Sequence, residues 1–208
     1  MTALARSREI VSEFRANVSD WLDAPPRATT GSSFGALCVT ALGAVSLWPM
    51  GFEIRDATDA DLAEILEIEK LAFTTPWTLR SFQRELSLPF SRLAVAMSAD
   101  GDSKPALAGF LCRWLVADEC HILNVAVRPS FRRQGVGGLL MNNAILEARA
   151  RRAAFVTLEV RRSNLAARQL YRKLHFEERR LRRHYYGPGE DAIVMELRLD
   201  GEAHPHRL

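Results

Sequence analysis

The run Arg132-Arg133-Gln134-Gly135-Val136-Gly137-Gly138 follows an apolar strand and opens a helix. Glycines let the backbone turn tightly and bring bare N–H groups close to a ligand. The helix N-terminus adds about half a positive charge. Together these features suit a pyrophosphate. The run is not the dinucleotide fingerprint, which needs a third spaced glycine and an acidic residue on the next strand. Nor is it a Walker loop, since no Lys-Ser or Lys-Thr follows. Taken alone, it is either a phosphate cradle or an ordinary glycine-containing turn.

Glu159 is the second candidate. In the strand that begins near Ala154, side chains alternate between faces. Val156, Leu158 and Val160 share an apolar face, and Phe155, Thr157, Glu159 and Arg161 share the other. A carboxylate there is costly unless it is paired or hydrated, and Arg161 on the same face is a ready partner. Cys120 and His121 look like a nucleophile and its base. As neighbours in a strand they point to opposite faces, which argues against an acyl-cysteine. His175, His184, His204 and His206 form no ligand cluster, so no metal is implied.

The elements that must position these groups are legible from residue 52 onward. Residues 52–57 read as a strand. Residues 59–72 read as a helix capped by Thr58 or Asp59, with Leu62, Ile65, Leu66, Ile68 and Leu71 as its stripe. Pro76-Trp77 breaks that helix, and residues 79–88 form the next. Residues 91–97 and 106–116 read as strands around a turn at Asp100-Gly101-Asp102. Residues 120–127 are apolar on both faces and should be the central strand. A helix over 137–150, a strand over 154–161 and a helix over 164–174 follow. In the last of these, Leu170 and Leu174 form the buried stripe and Tyr171 sits at its edge, where packing is a tyrosine's ordinary role. Asn164 is placed to cap it. Strands over 176–186 and 192–199 finish the pattern, with Tyr185 and Tyr186 as edge-strand aromatics.

The chain has 208 residues, 48% of them hydrophobic and 25% charged, as expected for a soluble globular domain with an appendage. Charge is uneven. Residues 128–183 hold 15 basic and 4 acidic side chains, whereas residues 1–127 hold 11 basic and 16 acidic. The first segment invites an anionic ligand, and the second suits a cationic one. Asp118 and Glu119 are candidate attractors of a basic peptide. Cys38, Cys112 and Cys120 cannot all pair and lack metal-ligand spacing. They read as reduced thiols, hence an intracellular protein.

Residues 1–50 form an extension, expected to be poorly ordered or to reflect a start site at Met50. Residues 7–21 could make a short helix ended by Pro25-Pro26. Residues 34–50 are weakly apolar, but their 17 positions fall short of the about 20 that span a bilayer. They also lie too far along the chain for a signal peptide. Residues 200–208 read as a polar, disordered tail.

Val125-Ala126-Val127-Arg128-Pro129 followed by Arg132-Arg133-Gln134-Gly135-Val136-Gly137 resembles the acetyl-CoA motif of the GNAT superfamily, and the order of elements after Phe52 is similar to that fold. The match narrows. His121-Ile122-Leu123-Asn124-Val125-Ala126-Val127, Leu158-Glu159-Val160-Arg161, Ser163-Asn164 and Leu170-Tyr171 resemble the RimI-type ribosomal-protein alanine N-acetyltransferases. So do Phe73, Pro76-Trp77, Arg182-Arg183-His184-Tyr185-Tyr186 and Asp191-Ala192. The resemblance covers residues 52–199. The glycine motif is common to the superfamily, whereas the Pro-Trp, Leu-Glu-Val-Arg, Ser-Asn and Tyr-Tyr combination is far more specific.

The resemblance implies an α/β GNAT domain over residues 51–199, with a mixed, mostly antiparallel sheet flanked by helices. It implies acetyl-CoA as co-substrate, held by Val125, Ala126, Val127, Arg132, Arg133, Gln134, Gly135, Val136, Gly137, Gly138, Asn164 and Tyr171. Glu159 would be the general base, through a water, and Tyr171 the general acid on the leaving thiolate. Phe73, Trp77, Asn124, Tyr185 and Tyr186 would line the acceptor channel. The implied reaction is acetyl transfer in a ternary complex to the N-terminal alanine of a ribosomal protein, with small-subunit protein eighteen as lead acceptor. It would take place in the cytoplasm without direct nucleic-acid or membrane contact. The alternatives are a GNAT enzyme acting on a free polyamine or antibiotic amine, and a non-catalytic CoA-binding module.

Overall fold

A computed structural model describes residues 51–98 and 105–199. The expected N-terminal helix, the apolar segment 34–50, the turn at Asp100-Gly101-Asp102 and the tail from Asp200 all lie outside the described residues.

Among the described residues, thirteen elements alternate as the hydrophobic pattern implies. They are β1 (Phe52–Asp56), a 3-10 turn (Asp59–Asp61), α1 (Leu62–Ala72), α2 (Leu79–Ser87), β2 (Ser91–Ser98), β3 (Leu107–Val116) and β4 (Glu119–Val127). A second 3-10 turn (Pro129–Phe131) leads to α3 (Val136–Ala150), β5 (Phe155–Arg161), α4 (Leu165–Lys173), β6 (Glu177–Arg182) and β7 (Ala192–Arg198). The seven strands form one sheet in the order β1-β2-β3-β4-β5-β7-β6. Every neighbouring pair is antiparallel except β4 and β5. Those two are joined through α3, because parallel strands need a long crossover. β4 is the central strand, as its apolar faces require.

Helices cover both faces. Ala144, Leu140 and Met141 of α3 and Tyr171 of α4 join one core cluster, while Leu62, Ile65 and Ile68 of α1 and Phe82 of α2 join the other. Two details depart from the sequence pattern. The first turn expected of α1 is 3-10 instead. There the Asp61 carboxylate accepts from the Thr58 N–H and hydroxyl and pairs with Arg55, which holds its carboxyl at about 2. Leu71, expected on the buried stripe, is 61% exposed, and Glu69 takes an inward position at 1%.

Two irregularities shape the middle of the sheet. Cys112 stands opposite Asn124 but Arg113 stands opposite Ile122, so Leu123 is an extra residue and β4 bulges there. A bulge reverses which residues face which side beyond it. Cys120 and Ile122 accordingly belong to the α3 cluster, whereas Ala126 belongs to the α1 cluster. In addition, β4 and β5 pair only from Glu119↔Phe155 to Ile122↔Leu158. Beyond that point they part, while β5 stays paired with β7 to Arg161↔Ala192. Among the described residues, no helix is long and apolar enough to cross a membrane.

Candidate active site

The parting of β4 and β5 opens a cleft of about 440 Å³. Leu123, Asn124 and Val125 line it from β4, and Glu159 and Arg161 from β5. Tyr171 and Asn164 close it from α4, and Phe73 and Trp77 from the loop after α1. Tyr186 reaches it from the turn after β6, and Glu69 from α1. Most of the expected catalytic and acceptor residues thus meet in one place.

Glu159 is paired, but not with Arg161. Arg182 Nη1 donates to Glu159 Oε1 at 3.2 Å. Arg161 instead stacks on Tyr186, with its guanidinium carbon 4.2 Å from the ring centre. The Tyr186 hydroxyl donates to the Glu159 main-chain carbonyl at 3.2 Å, and burial is the main cause that raises its phenol pKa above the ordinary value. Tyr185 does not line the cleft. It lies edge-on to Tyr186 at 5.0 Å and carries the Arg182 guanidinium at 4.1 Å. It supports the wall rather than forming it.

Both tyrosines sit in a turn, because β6 ends at Arg182. His184, Gly187 and Gly189 adopt positive φ, which an extended strand cannot accommodate. The turn is tied down by the His184 N–H to Asp191 at 3.0 Å and by the Ser163 hydroxyl to Glu190 at 2.8 Å.

Tyr171 is the buried residue of α4 at 6% exposure. Leu170 and Leu174, expected as the stripe, are only half-buried. Its ring packs on Phe176 at 5.9 Å, and burial pushes its phenol up to about 12. Asn164 caps α4 by accepting from the Ala167 N–H at 3.1 Å, and it lines the cleft as well.

The glycine loop continues from β4. Arg133 and Gly135 both have left-handed backbones, with φ of 64° and 84°, and Gly135 is the N-cap of α3. Alternating backbone hands of this kind aim successive N–H groups into one concavity. A helix also leaves its first N–H groups without internal partners, and no acidic side chain sits in the first turn of α3. The Arg132 and Gln134 side chains bond the carbonyls of Val127 and Ser130, so they brace the loop. A Cβ at Gly137 would meet Leu170 at 3.3 Å and Val127 at 3.7 Å, so the side-chain position of this residue faces α4. Gly137 lets α3 lie close to Leu170 of α4, and Val136 and Ala126 point into the two cores.

Two charged or thiol groups can be placed. Cys120 lies in the α3 core, and burial lifts its thiol to about 11. A thiol so disposed is no nucleophile, so Cys120→Ala should keep full turnover and normal folding in a steady-state assay. Loss of all activity in a folded variant would restore an acyl-enzyme route. Glu119 is 2.7 Å from His121, at the end of β4 that stays paired with β5, and it does not line the cleft. Among the described residues, no group of three His, Cys, Asp or Glu could hold a metal.

Glu69 is a further cleft residue, not among those expected from the sequence. Its signal was present: it falls seven residues after Leu62 and four after Ile65, on the inward stripe of α1. Its Oε1 accepts from the Trp77 N–H at 2.8 Å, and the Asn124 amide lies 3.1 Å from both carboxylate oxygens.

A glycine loop that opens a helix, continuing from a strand that lines the cleft, suits a phosphate-bearing ligand. Residues 62–176 match the model of the Acetyltransferase (GNAT) family, and the chain belongs to that family. It is 38% identical over 150 residues to the ribosomal protein bS18-alanine N-acetyltransferase of Escherichia coli (strain K12), covering 69% of this chain and 95% of that protein. The crystal structure of the Escherichia coli ribosomal-protein-S18-alanine N-acetyltransferase superimposes with a TM-score of 0.65 at 32% identity, over 76% of this chain and 99% of that one. Arabidopsis thaliana NAA60 in complex with acetyl-CoA matches in fold, with a TM-score of 0.64 at 20% identity over 72% of this chain and 99% of that one.

Proposed function

We propose that this enzyme transfers the acetyl group of acetyl-CoA to the α-amine of the N-terminal alanine of ribosomal protein bS18, a reaction of the cytoplasm. The observation that carries the reading is the meeting of Glu159 and Tyr171 in one cleft walled by Trp77 and Tyr186. The 38% identical Escherichia coli protein, which bears that name, supports the choice of acceptor.

The chemistry follows from the groups present. The main-chain N–H groups of the loop before α3 hold the pyrophosphate, and the parting of β4 and β5 admits the pantetheine arm beside Val125. The neutral α-amine attacks the thioester carbonyl, a C–N bond forms, and the C–S bond breaks. The amine proton passes through a water to Glu159, whose carboxylate Arg182 orients. Tyr171 faces the departing sulfur. With its phenol near 12 and a thiol near 8.5, full proton transfer is uphill by about 5 kcal/mol. Tyr171 therefore acts by donating a hydrogen bond to the developing thiolate. An α-amine with a pKa of about 7.7–8.0 is partly neutral at cytosolic pH, whereas a lysine amine near 10.4 is not. A glutamate acting through water is adequate for the first and poor for the second.

The deciding experiment incubates ribosomal proteins with enzyme and labelled acetyl-CoA and reads them by mass spectrometry. Label on the N-terminal alanine of bS18 is expected. Matched kinetics on a free-N-terminus alanine peptide, an N-blocked lysine peptide and spermidine should rank in that order. Preference for spermidine would replace the acceptor and leave the family assignment standing. No transfer to any amine would mark a non-catalytic CoA-binding protein.

A further inference from the structure

Glu69 has no place in the chemistry above, yet it lines the same cleft. It is 1% exposed, and a buried carboxylate is unfavourable unless its charge and lone pairs are answered. Its partners are neutral, namely the Trp77 N–H and the Asn124 amide. Among the described residues, no lysine, arginine or histidine forms an ion pair with it. The other carboxylate of the cleft, Glu159, already holds Arg182.

The hydrogen bonds are also incomplete. A carboxylate accepts about four, but among the described residues Glu69 Oε2 receives only the bond it shares through Asn124. Asn124 is 7% exposed, and its Oδ1 has no donor. Among the described residues, two adjoining side chains thus carry acceptor capacity without donors, and one of them carries a charge without a counter-charge. The bulge at Leu123 is what brings them together, since it turns Asn124 to the α1 side of the sheet.

We infer that Glu69 and Asn124 form the receiving site for the α-ammonium of the acceptor chain. Most of an N-terminus at neutral pH arrives as an ammonium, with three donors and no acceptor. Glu69 supplies the counter-charge and Asn124 Oδ1 a second acceptor. Docking moves no proton; deprotonation belongs to the later step at Glu159. Burial holds the Glu69 carboxyl above its ordinary range, and an ammonium beside it favours the ionised form. Through the Trp77 N–H, the same carboxylate ties the aromatic loop to the docked amine, so charge recognition and channel wall are one unit. The inference rests on the α-amine reading of the reaction.

Glu69→Gln separates the two roles. The glutamine oxygen still accepts from the Trp77 N–H, so the loop tether survives while the charge is lost. In the full chain, with an alanine-terminated peptide, the acceptor KM should rise at least about tenfold. The acetyl-CoA KM should stay nearly unchanged, and kcat should fall far less than the acceptor KM rises. A desamino analogue, with the α-amine replaced by hydrogen, should inhibit wild type and variant equally. Asn124→Ala, as a second variant, should raise the acceptor KM severalfold with the same unchanged inhibition. An unchanged acceptor KM in both variants overturns the inference. So does a parallel loss of desamino-peptide affinity, which would mean that loop shape and not charge was lost. A wild-type enzyme that acetylates no free N-terminus overturns the α-amine reading itself, and is seen before any variant is made.

Discussion

Glu159→Gln is expected to lower turnover by about 100- to 10,000-fold, the range for loss of a positioned general base, with acetyl-CoA affinity nearly intact. The substitution is close to isosteric. A glutamine oxygen can still accept from Arg182, now at 3.2 Å from Oε1. The Tyr186 hydroxyl bonds the main-chain carbonyl of this residue, so that tether is untouched. The wall of Tyr186 and Arg161, with Tyr185 and Arg182 behind it, should therefore stand, and what disappears is the ability to take a proton. Steady-state turnover with an alanine peptide, calorimetric titration with CoA and a thermal melt on the same preparation check this. A loss of only severalfold, with a lowered melting temperature, would make Glu159 a structural ion-pair partner.

How much of this was legible in the sequence depends on the range of the interactions. Local signals read well. The doubly apolar run around Ile122 placed β4 at the centre, Gly135 before a helix marked the loop, and Asn164 was recognisable as a cap. Failures came where distant residues decide. Glu159 is paired by Arg182 on β6 rather than by Arg161 on its own strand, because Arg161 stacks on Tyr186. No periodicity announces that choice. The bulge at Leu123 exists only relative to β3, so the face of Asn124 could not be read from alternation. Tyr185 and Tyr186 follow β6 so closely that they read as strand, yet positive φ at His184, Gly187 and Gly189 folds them into a turn. Glu69 was missed for a different reason. The apolar residues of α1 outline a stripe that includes exposed Leu71 and leaves out the carboxylate at an inward position. A charged residue on a buried stripe is itself a signal of function.

The second large effect belongs to Gly135. Its φ of 84° lies in the left-handed region, where a β-branched residue is a genuine outlier. Gly135→Val would force the N-cap of α3 toward negative φ and turn the N–H groups behind it out of register. Hydrogen bonds to a charged partner contribute about 1.5–3 kcal/mol each. Misdirecting two of them would cost about 3–6 kcal/mol, a fall in CoA affinity of roughly 100- to 10,000-fold. Gly137→Val tests something else, since its Cβ meets the Leu170 side chain and its effect should be on α3–α4 packing and stability. Gly135→Asn is the control. Asparagine tolerates the left-handed region better than any β-branched residue, so it should keep most of the affinity while adding a side chain of similar bulk. Calorimetric titration of CoA into the three folded variants gives the answer. If Asn and Val at position 135 lose affinity equally, side-chain bulk at the pyrophosphate is the cause. If Val loses far more, the left-handed backbone is what makes the cradle. If Val binds as wild type does, the pyrophosphate does not rest on this loop.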